Sequence, residues 1–161
     1  AVYASPLTRA VETAQPISEH HLTTSLLDAG LAEFDQHSSE YIPVEEMKAN
    51  DDPRLREFFQ GKREDFDDRH EFRDRVLNSV SRIVSDHSGE RVAVVCHGGV
   101  INCYAGDVLG IDLDGPGFFY PNYTSITRIA ASRSGVRSIV TINETSHLRN
   151  TGLPMGLFQH G

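Results

Sequence analysis

The sequence predicts an α/β layered domain: a three-layer sandwich with a mostly parallel central sheet flanked by helices. Three observations predict it. Short apolar runs at Val2–Ala4 and Val92–Val95 are each followed at once by a helix-start pattern. Such continuous runs suit strands of a parallel sheet covered on both faces. Phe72, Val76, Val80, Ile83 and Val84 fall at helical spacing, so 69–87 reads as an amphipathic helix with its stripe on that sheet. Finally, "TSITRIAAS" and "VRSIVTIN" alternate around Ser134-Gly135, as two strands of a hairpin do. Strands alternating with helices are the mark of a layered α/β fold.

The elements follow in order. Ser5 is placed to cap the first helix and Pro6 suits its first turn. That helix is expected to stop near Ala14, because Pro16 cannot donate to the helical ladder. "TSLLDAGLAEFD" reads as a short strand and a loop, and 43–60 as two short helices broken near Asp51–Pro53. The stretch 61–69 is a charged loop, and Gly89 lies past the end of the amphipathic helix. "GGVINCYAGDVLG" reads as loop and helix, the Gly- and Pro-rich 110–123 as a loop, and the tail from 144 lacks periodicity.

Composition narrows the function. The chain has 161 residues, 39% of them apolar and 24% charged, and reads as one domain over 1–161. A net charge of −8 disfavours nucleic acid, whose phosphates need a basic surface. No apolar run is long enough to span a membrane. Cys96 and Cys103 make no disulfide framework, so a reducing cytoplasm is the default.

A parallel sheet places its ligands at the carboxyl ends of its strands. Ser5 and Arg9 lie just past the first run; His97, Gly98 and Gly99 lie just past the later one. Arg9 offers a planar fork for phosphate, and free N–H groups at a helix start favour an anion. The glycines let a ligand approach the backbone. Taken one at a time, Ser5 is an ordinary cap, Arg9 a surface helix residue, and His97 a strand-end residue. "HGGVINCYAG" lacks both the G-x-G-x-x-G spacing and the lysine of a nucleotide loop. His97 and Cys103 have no second pair at zinc spacing, so no metal is expected. His20, His21, His37, His70, His87 and His160 lie in polar stretches and read as solvated; His147 reads as a structural hydrogen-bonding residue.

Four segments carry a resemblance: "VYASPLTRAVETA", "VAVVCHGGVIN", "YPNYTSITRI" and "INETSHL". In this order they resemble the histidine phosphatase superfamily, the phosphoglycerate mutase-like proteins, over residues 1 to about 148. The resemblance implies a phosphoglycerate mutase-like fold and a phosphomonoesterase that needs no cofactor. In that family a histidine of an R-H-G motif takes the phosphoryl group, and water then hydrolyses the phosphohistidine. By motif, Arg9 is the second arginine and His97 the second histidine, both holding phosphoryl oxygens beside Ser5 and Gly98. Glu33 falls where the family's general acid lies, with Asp35 and Glu40 as alternatives. "EFDQHSSEYIP" departs from the mutase pattern and favours a phosphatase acting on small phosphate esters. Neither nucleic acid nor membrane is an expected partner, and a homodimer is kept open.

No R-H-G occurs in the chain; Arg69-His70-Glu71 opens a helix and is no substitute. The expectation is therefore a domain lacking its first strand, which would carry the nucleophile. The sheet is expected to show an open edge or gap beside Ser5 and His97, and these residues alone are expected to be inactive.

Overall fold

Tyr3 and its two neighbours set the layers. In the computed structural model, which describes residues 1–38, 41–56, 67–111, 117–156 and 159–160, Val2–Ala4 form strand β1 and all three residues are buried. Side chains alternate along a strand. Val2 and Ala4 therefore meet Ala14 and Ile17 of helix α1 (Thr8–His20) on one face. Tyr3 meets Val76, Val80 and Ile83 of helix α3 (Arg69–Asp86) and Val100, Cys103 and Tyr104 of helix α4 (Gly98–Leu109) on the other. The order of layers is α1, sheet, α3 with α4, as the apolar patterns predict.

β1 pairs in parallel with β2 (Leu26–Leu27) on one edge and with β3 (Ala93–Val95) on the other, giving the order β2-β1-β3. The registers are Ala4 opposite Leu27 and Ala4 opposite Val95, so the ends of β1 and β3 lie side by side. Strands β4 (Ile126–Ala131) and β5 (Arg137–Glu144) form the expected antiparallel hairpin, turning at Gly135 with φ +85°. Among the described residues no strand pairs with the outer edge of β3, and a groove runs along it, lined by Ile83, Val84, Val94 and, opposite, Ile129. Helix α2 (Val44–Ala49) is followed by the expected break at 50–53, after which a helical turn starts at 54. A short antiparallel pair, β6 (Pro154–Gly156) and β7 (Gln159–His160), ends the described chain.

Several local expectations give way. Helix α1 does not stop at Ala14 but passes through Pro16 to His20. Pro16 is exposed, while Ile17 and Ser18 beyond it turn inward, and Ile17 packs against the β1 cluster. That packing outweighs a helix-interior proline's penalty of about 3 kcal/mol. Ser5 is not the cap: Leu7 holds that position with no side-chain hydrogen bond. The segment after His97 has no loop, since α4 begins at Gly98, and it ends at Gly110 with φ +68°. Val84 is exposed at 37%, off the stripe formed by Phe72, Val76, Val80 and Ile83. His87 is not solvated; it lies against Tyr3, whose hydroxyl is 3.0 Å from its Nε2. His147 is exposed and forms no hydrogen bond among the described residues, against the structural role expected of it. Glu40, most of the charged loop, the rest of the second short helix and 112–116 lie outside the described residues.

Candidate active site

The site grows from the paired ends of β1 and β3. The Ser5 N–H donates to the Val95 carbonyl at 2.9 Å, and the Asp28 N–H donates to the Ala4 carbonyl at 2.9 Å. These bonds tie both neighbouring strands to β1 just where it ends. As the second residue of α1, Arg9 lies over the same spot, and His97 occupies the N-cap of α4.

The hydrogen bonds fix the state of His97. Arg9 Nε lies 3.2 Å from His97 Nδ1, and Ser5 Oγ lies 2.7 Å from His97 Nε2. A guanidinium can only donate, so Nδ1 is the acceptor and the ring proton sits on Nε2, donating to Ser5. Burial, with the Arg9 charge second, lowers the pKa of His97 from 6.5 to about 3, so the ring is neutral. Ser5 is fully buried behind the ring. The expectation that Ser5 touches a substrate is thus replaced: its hydroxyl meets His97 and accepts from the Leu7 N–H at 3.3 Å.

Arg9 is divided among several partners. Nη2 donates to Asp35 Oδ1 at 3.1 Å, and the guanidinium stacks 4.1 Å from the centre of the Tyr41 ring. No hydrogen bond engages its Nη1 among the described residues, which leaves that end of the fork for an anion. Asp35, an alternative acid in the sequence, is the counter-ion of Arg9 instead.

Glu33 is brought to the same place from the other side. It is buried, and its carboxylate accepts from the Gly99 N–H at 2.8 Å and the Phe34 N–H at 3.1 Å. The helix start that the sequence offers to an anion is therefore partly taken by the protein's own carboxylate. Burial is the main cause that raises the Glu33 pKa from 4.5 to about 7; the two N–H groups and Arg9 oppose the rise, and the Asp35 charge adds to it. A carboxyl near 7 is suited to giving a proton and taking it back at neutral pH. The reason for glycine at 99 is this neighbour rather than a ligand. A Cβ there would fall 2.2 Å from Glu33 Oε1 and 2.8 Å from Phe34 Cδ1. At Gly98 the same atom would meet only Pro121, at 3.7 Å.

Several residues that hold this cluster escape the sequence reading. Arg75 of α3 donates from Nη1 to the carbonyls of Ala29, Gly30 and Ala32, at 3.1, 3.2 and 2.9 Å, and so fastens the loop that carries Glu33. Asp28 anchors the start of that loop, accepting from the Gly30 N–H at 2.8 Å and the Ser79 hydroxyl at 2.7 Å, and pairing with Arg82. Asn102 and Asn143 fix 117–123. Asn102 donates to the Gly98 and Phe119 carbonyls and accepts from the Phe118 and Phe119 N–H groups. Asn143, at φ +54°, accepts from the Asn122 N–H and donates to the Tyr120 carbonyl. The Asn at 102 is visible in the sequence, but its partners lie on a loop that no periodicity places.

Other chemistries are poorly served. Burial raises the Cys96 thiol to about 12, far from the thiolate a nucleophile requires. Among the described residues no group of three or more His, Cys, Asp or Glu side chains could hold a metal ion, and no helix is long and apolar enough to cross a membrane.

The arrangement has parallels. YhfR of Bacillus stearothermophilus is similar to the chain at 26% identity with a TM-score of 0.74, over 91% of this chain and 75% of that one. Phosphoserine phosphatase from Entamoeba histolytica, solved with 3-phosphoglyceric acid, is similar in fold at 22% identity and a TM-score of 0.61, over 91% and 75%. Mycobacterial glucosyl-3-phosphoglycerate phosphatase is similar in fold at 19% identity and a TM-score of 0.65, over 88% and 76%. No curated protein matches the chain. The sequence pattern of the histidine phosphatase superfamily (branch 1) matches residues 1–145, a span that holds Ser5, Arg9, Glu33 and His97 together, and the chain belongs to that family.

Proposed function

We propose that residues 1–161 are one domain, the phosphate-holding and proton-donating part of a phosphomonoesterase. The observation that carries this reading is the convergence of Arg9, His97 and Glu33 at the ends of β1 and β3. Arg9 Nη1 holds the phosphoryl oxygens and Gly98 lies against them; His97 joins them when its Nε2–H, which donates to Ser5 in this structure, turns to a phosphoryl oxygen. Charge that builds on the transferring group is stabilised there. Glu33 protonates the departing alcohol oxygen and later takes a proton from the attacking water.

The nucleophile in this reading is a histidine of an R-H-G segment on a strand before residue 1. It forms a phosphohistidine that water hydrolyses. Among the described residues no strand pairs with the outer edge of β3, and this supports it: a groove runs along that edge and reaches His97 and Arg9. Small phosphate esters are the proposed substrates, since phosphatases of phosphoserine and of glucosyl-3-phosphoglycerate share the fold. The two free cysteines fit a reducing cytoplasm. The absence of R-H-G from the 161 residues favours a second reading, a phosphate-binding member without catalysis.

Labelling separates the two. The protein carrying its R-H-G segment, mixed with a radiolabelled phosphate ester, is expected to yield an acid-labile phosphohistidine. Residues 1–161 alone should take no label and yet bind inorganic phosphate. Arg9→Ala should weaken that binding roughly a hundredfold, as expected for two charged hydrogen bonds. Absence of label in the longer protein favours the binding member, and unchanged phosphate affinity in the variant removes Arg9 from the site.

A further inference from the structure

We propose that Asp35 is a built-in competitor for the anion that Arg9 holds: its carboxylate weakens the grip of the site on phosphate and so sets how readily the product leaves. The inference rests on the phosphatase reading above and deepens it.

The first observation is how little of Arg9 is left open. The Tyr41 ring covers one face of the guanidinium, with its centre 4.1 Å from Cζ, and Nε is engaged by His97 Nδ1. Guanidinium N–H groups point in the plane of the group, so a phosphoryl group is held in that plane, at the Nη end. That is where Asp35 Oδ1 already accepts from Nη2, at 3.1 Å. The two Nη atoms lie closer together than either lies to its acceptor. A phosphoryl oxygen on Nη1 and the carboxylate on Nη2 are therefore held side by side. Like charges so placed repel, and each weakens the other's hold on the shared cation.

The second observation is that the Arg9–Asp35 pair is not needed to place its loop. Upstream, Arg75 holds the carbonyls of Ala29, Gly30 and Ala32. Downstream, the Asp67 N–H donates to the Phe34 carbonyl at 2.9 Å, and the Asp67 carboxylate accepts from the Gln36 side-chain amide at 2.9 Å and from Arg75 Nη2. Within the loop the Gln36 N–H donates to the Glu33 carbonyl at 3.1 Å, and the Ser38 N–H to the Asp35 carbonyl at 2.9 Å. Asp35 is thus presented by a segment fixed from both sides. Its carboxylate has Arg9 as its only hydrogen-bonding partner among the described residues. A carboxylate serving only to hold this loop would be redundant. What it adds is charge, and with its side chain 16% exposed that charge is weakly screened.

The chemistry gives such a charge a use. A guanidinium cannot lose its proton at any working pH, so Arg9 has no titration by which to release a doubly charged product. A neighbouring carboxylate lowers the affinity and leaves the donors in place. Turnover needs the product to depart as well as the substrate to bind. The repulsion grows with the charge on the bound anion, so removing the carboxylate favours a dianion more than a monoanion.

Calorimetric titration of the protein at pH 8 decides the matter without turnover, using inorganic phosphate, doubly charged there, and dimethyl phosphate, singly charged. Asp35→Asn keeps an acceptor for Nη2 and removes the charge. The variant is expected to bind inorganic phosphate about tenfold more tightly than the parent, the scale of one like charge beside a partly screened site. Its gain on dimethyl phosphate should be only roughly threefold, since halving the ligand charge halves the repulsion. A carboxylate that merely positioned Arg9 would give the opposite sign, with weaker phosphate binding in the variant. Unchanged or weaker phosphate binding, or an equal gain on both ligands, overturns the inference. The phosphatase reading then stands as long as the parent binds phosphate through Arg9, which Arg9→Ala reports. If the parent does not bind phosphate, both fall.

Discussion

β1 and β3 have nearly the same composition and quite different surroundings. Val2, Tyr3 and Ala4 are buried, paired on both edges and covered on both faces. Ala93, Val94 and Val95 are covered on both faces by the same two layers, yet every one of them is only partly buried. Among the described residues no strand pairs along the second edge of β3. An apolar run reports that the faces of a strand are covered; it says nothing of how many of its edges are paired. The site inherits the asymmetry, since Ser5 is sealed at the end of the enclosed strand and His97 stands at the end of the open one.

The sharpest test of this difference removes either end of the bond between them. His97→Ala in the active protein should lower turnover by about 10²–10³, the usual loss for one donor aimed at developing charge. Ser5→Ala removes only the support behind the ring, and a loss of roughly tenfold is expected for one such hydrogen bond. Equal losses in steady-state rates would break the division between the supporting hydroxyl at the end of β1 and the ring at the end of β3.

Next in size is the response to pH. Folded Glu33 keeps its proton up to about pH 7, whereas the unfolded chain releases it near 4.5, so this group makes stability fall as pH rises through that window. His97 acts in the opposite sense: the unfolded chain takes up a proton below about 6.5, the folded ring only near 3, so stability falls as pH drops between them. Urea titrations of Glu33→Gln and the parent at pH 5 and pH 8 should differ. The balance should move toward the variant at pH 8 by on the order of 2–3 kcal/mol. A difference independent of pH would mean that Glu33 is ionised normally.

The smallest effects concern packing. Ala4 is wholly buried, so Ala4→Leu overfills the space against α1 and should cost about 1–3 kcal/mol. Val95→Leu, one strand over in the same register, should stay within about 0.5 kcal/mol because that strand has room at its open side. Comparable midpoints in thermal melts would show β3 to be as enclosed as β1.

The layers, the hairpin, α3 and the junctions after β1 and β3 were legible because each rests on local periodicity or on a strand end. The limits of that reading are equally local. Pro16 ends an isolated helix; only the packing of Ile17 across the sheet carries α1 past it. Ser5 has the composition of a cap, and a hydroxyl 2.7 Å from a histidine 92 positions away leaves no trace in its neighbours along the chain. Arg75 looks like one more solvated charge on a polar helix face, and its three carbonyl partners become visible only when the 29–32 loop folds onto it. Glu33, Arg9 and His97 were found through motifs; that Asp35 shares Arg9 was not, because a counter-ion and an alternative acid are the same residue type.

The contact between Gly99 and Glu33 has a consequence for descent. Every replacement at 99 adds at least one atom where a carboxylate oxygen already lies, so no substitution there is gradual. Relief needs a shorter acid at 33 together with a shift of the Phe34 ring, which would lie 2.8 Å from the same atom. Two positions 66 residues apart are thereby coupled: a side chain added at 99 displaces the acid at 33 unless 33 changes with it.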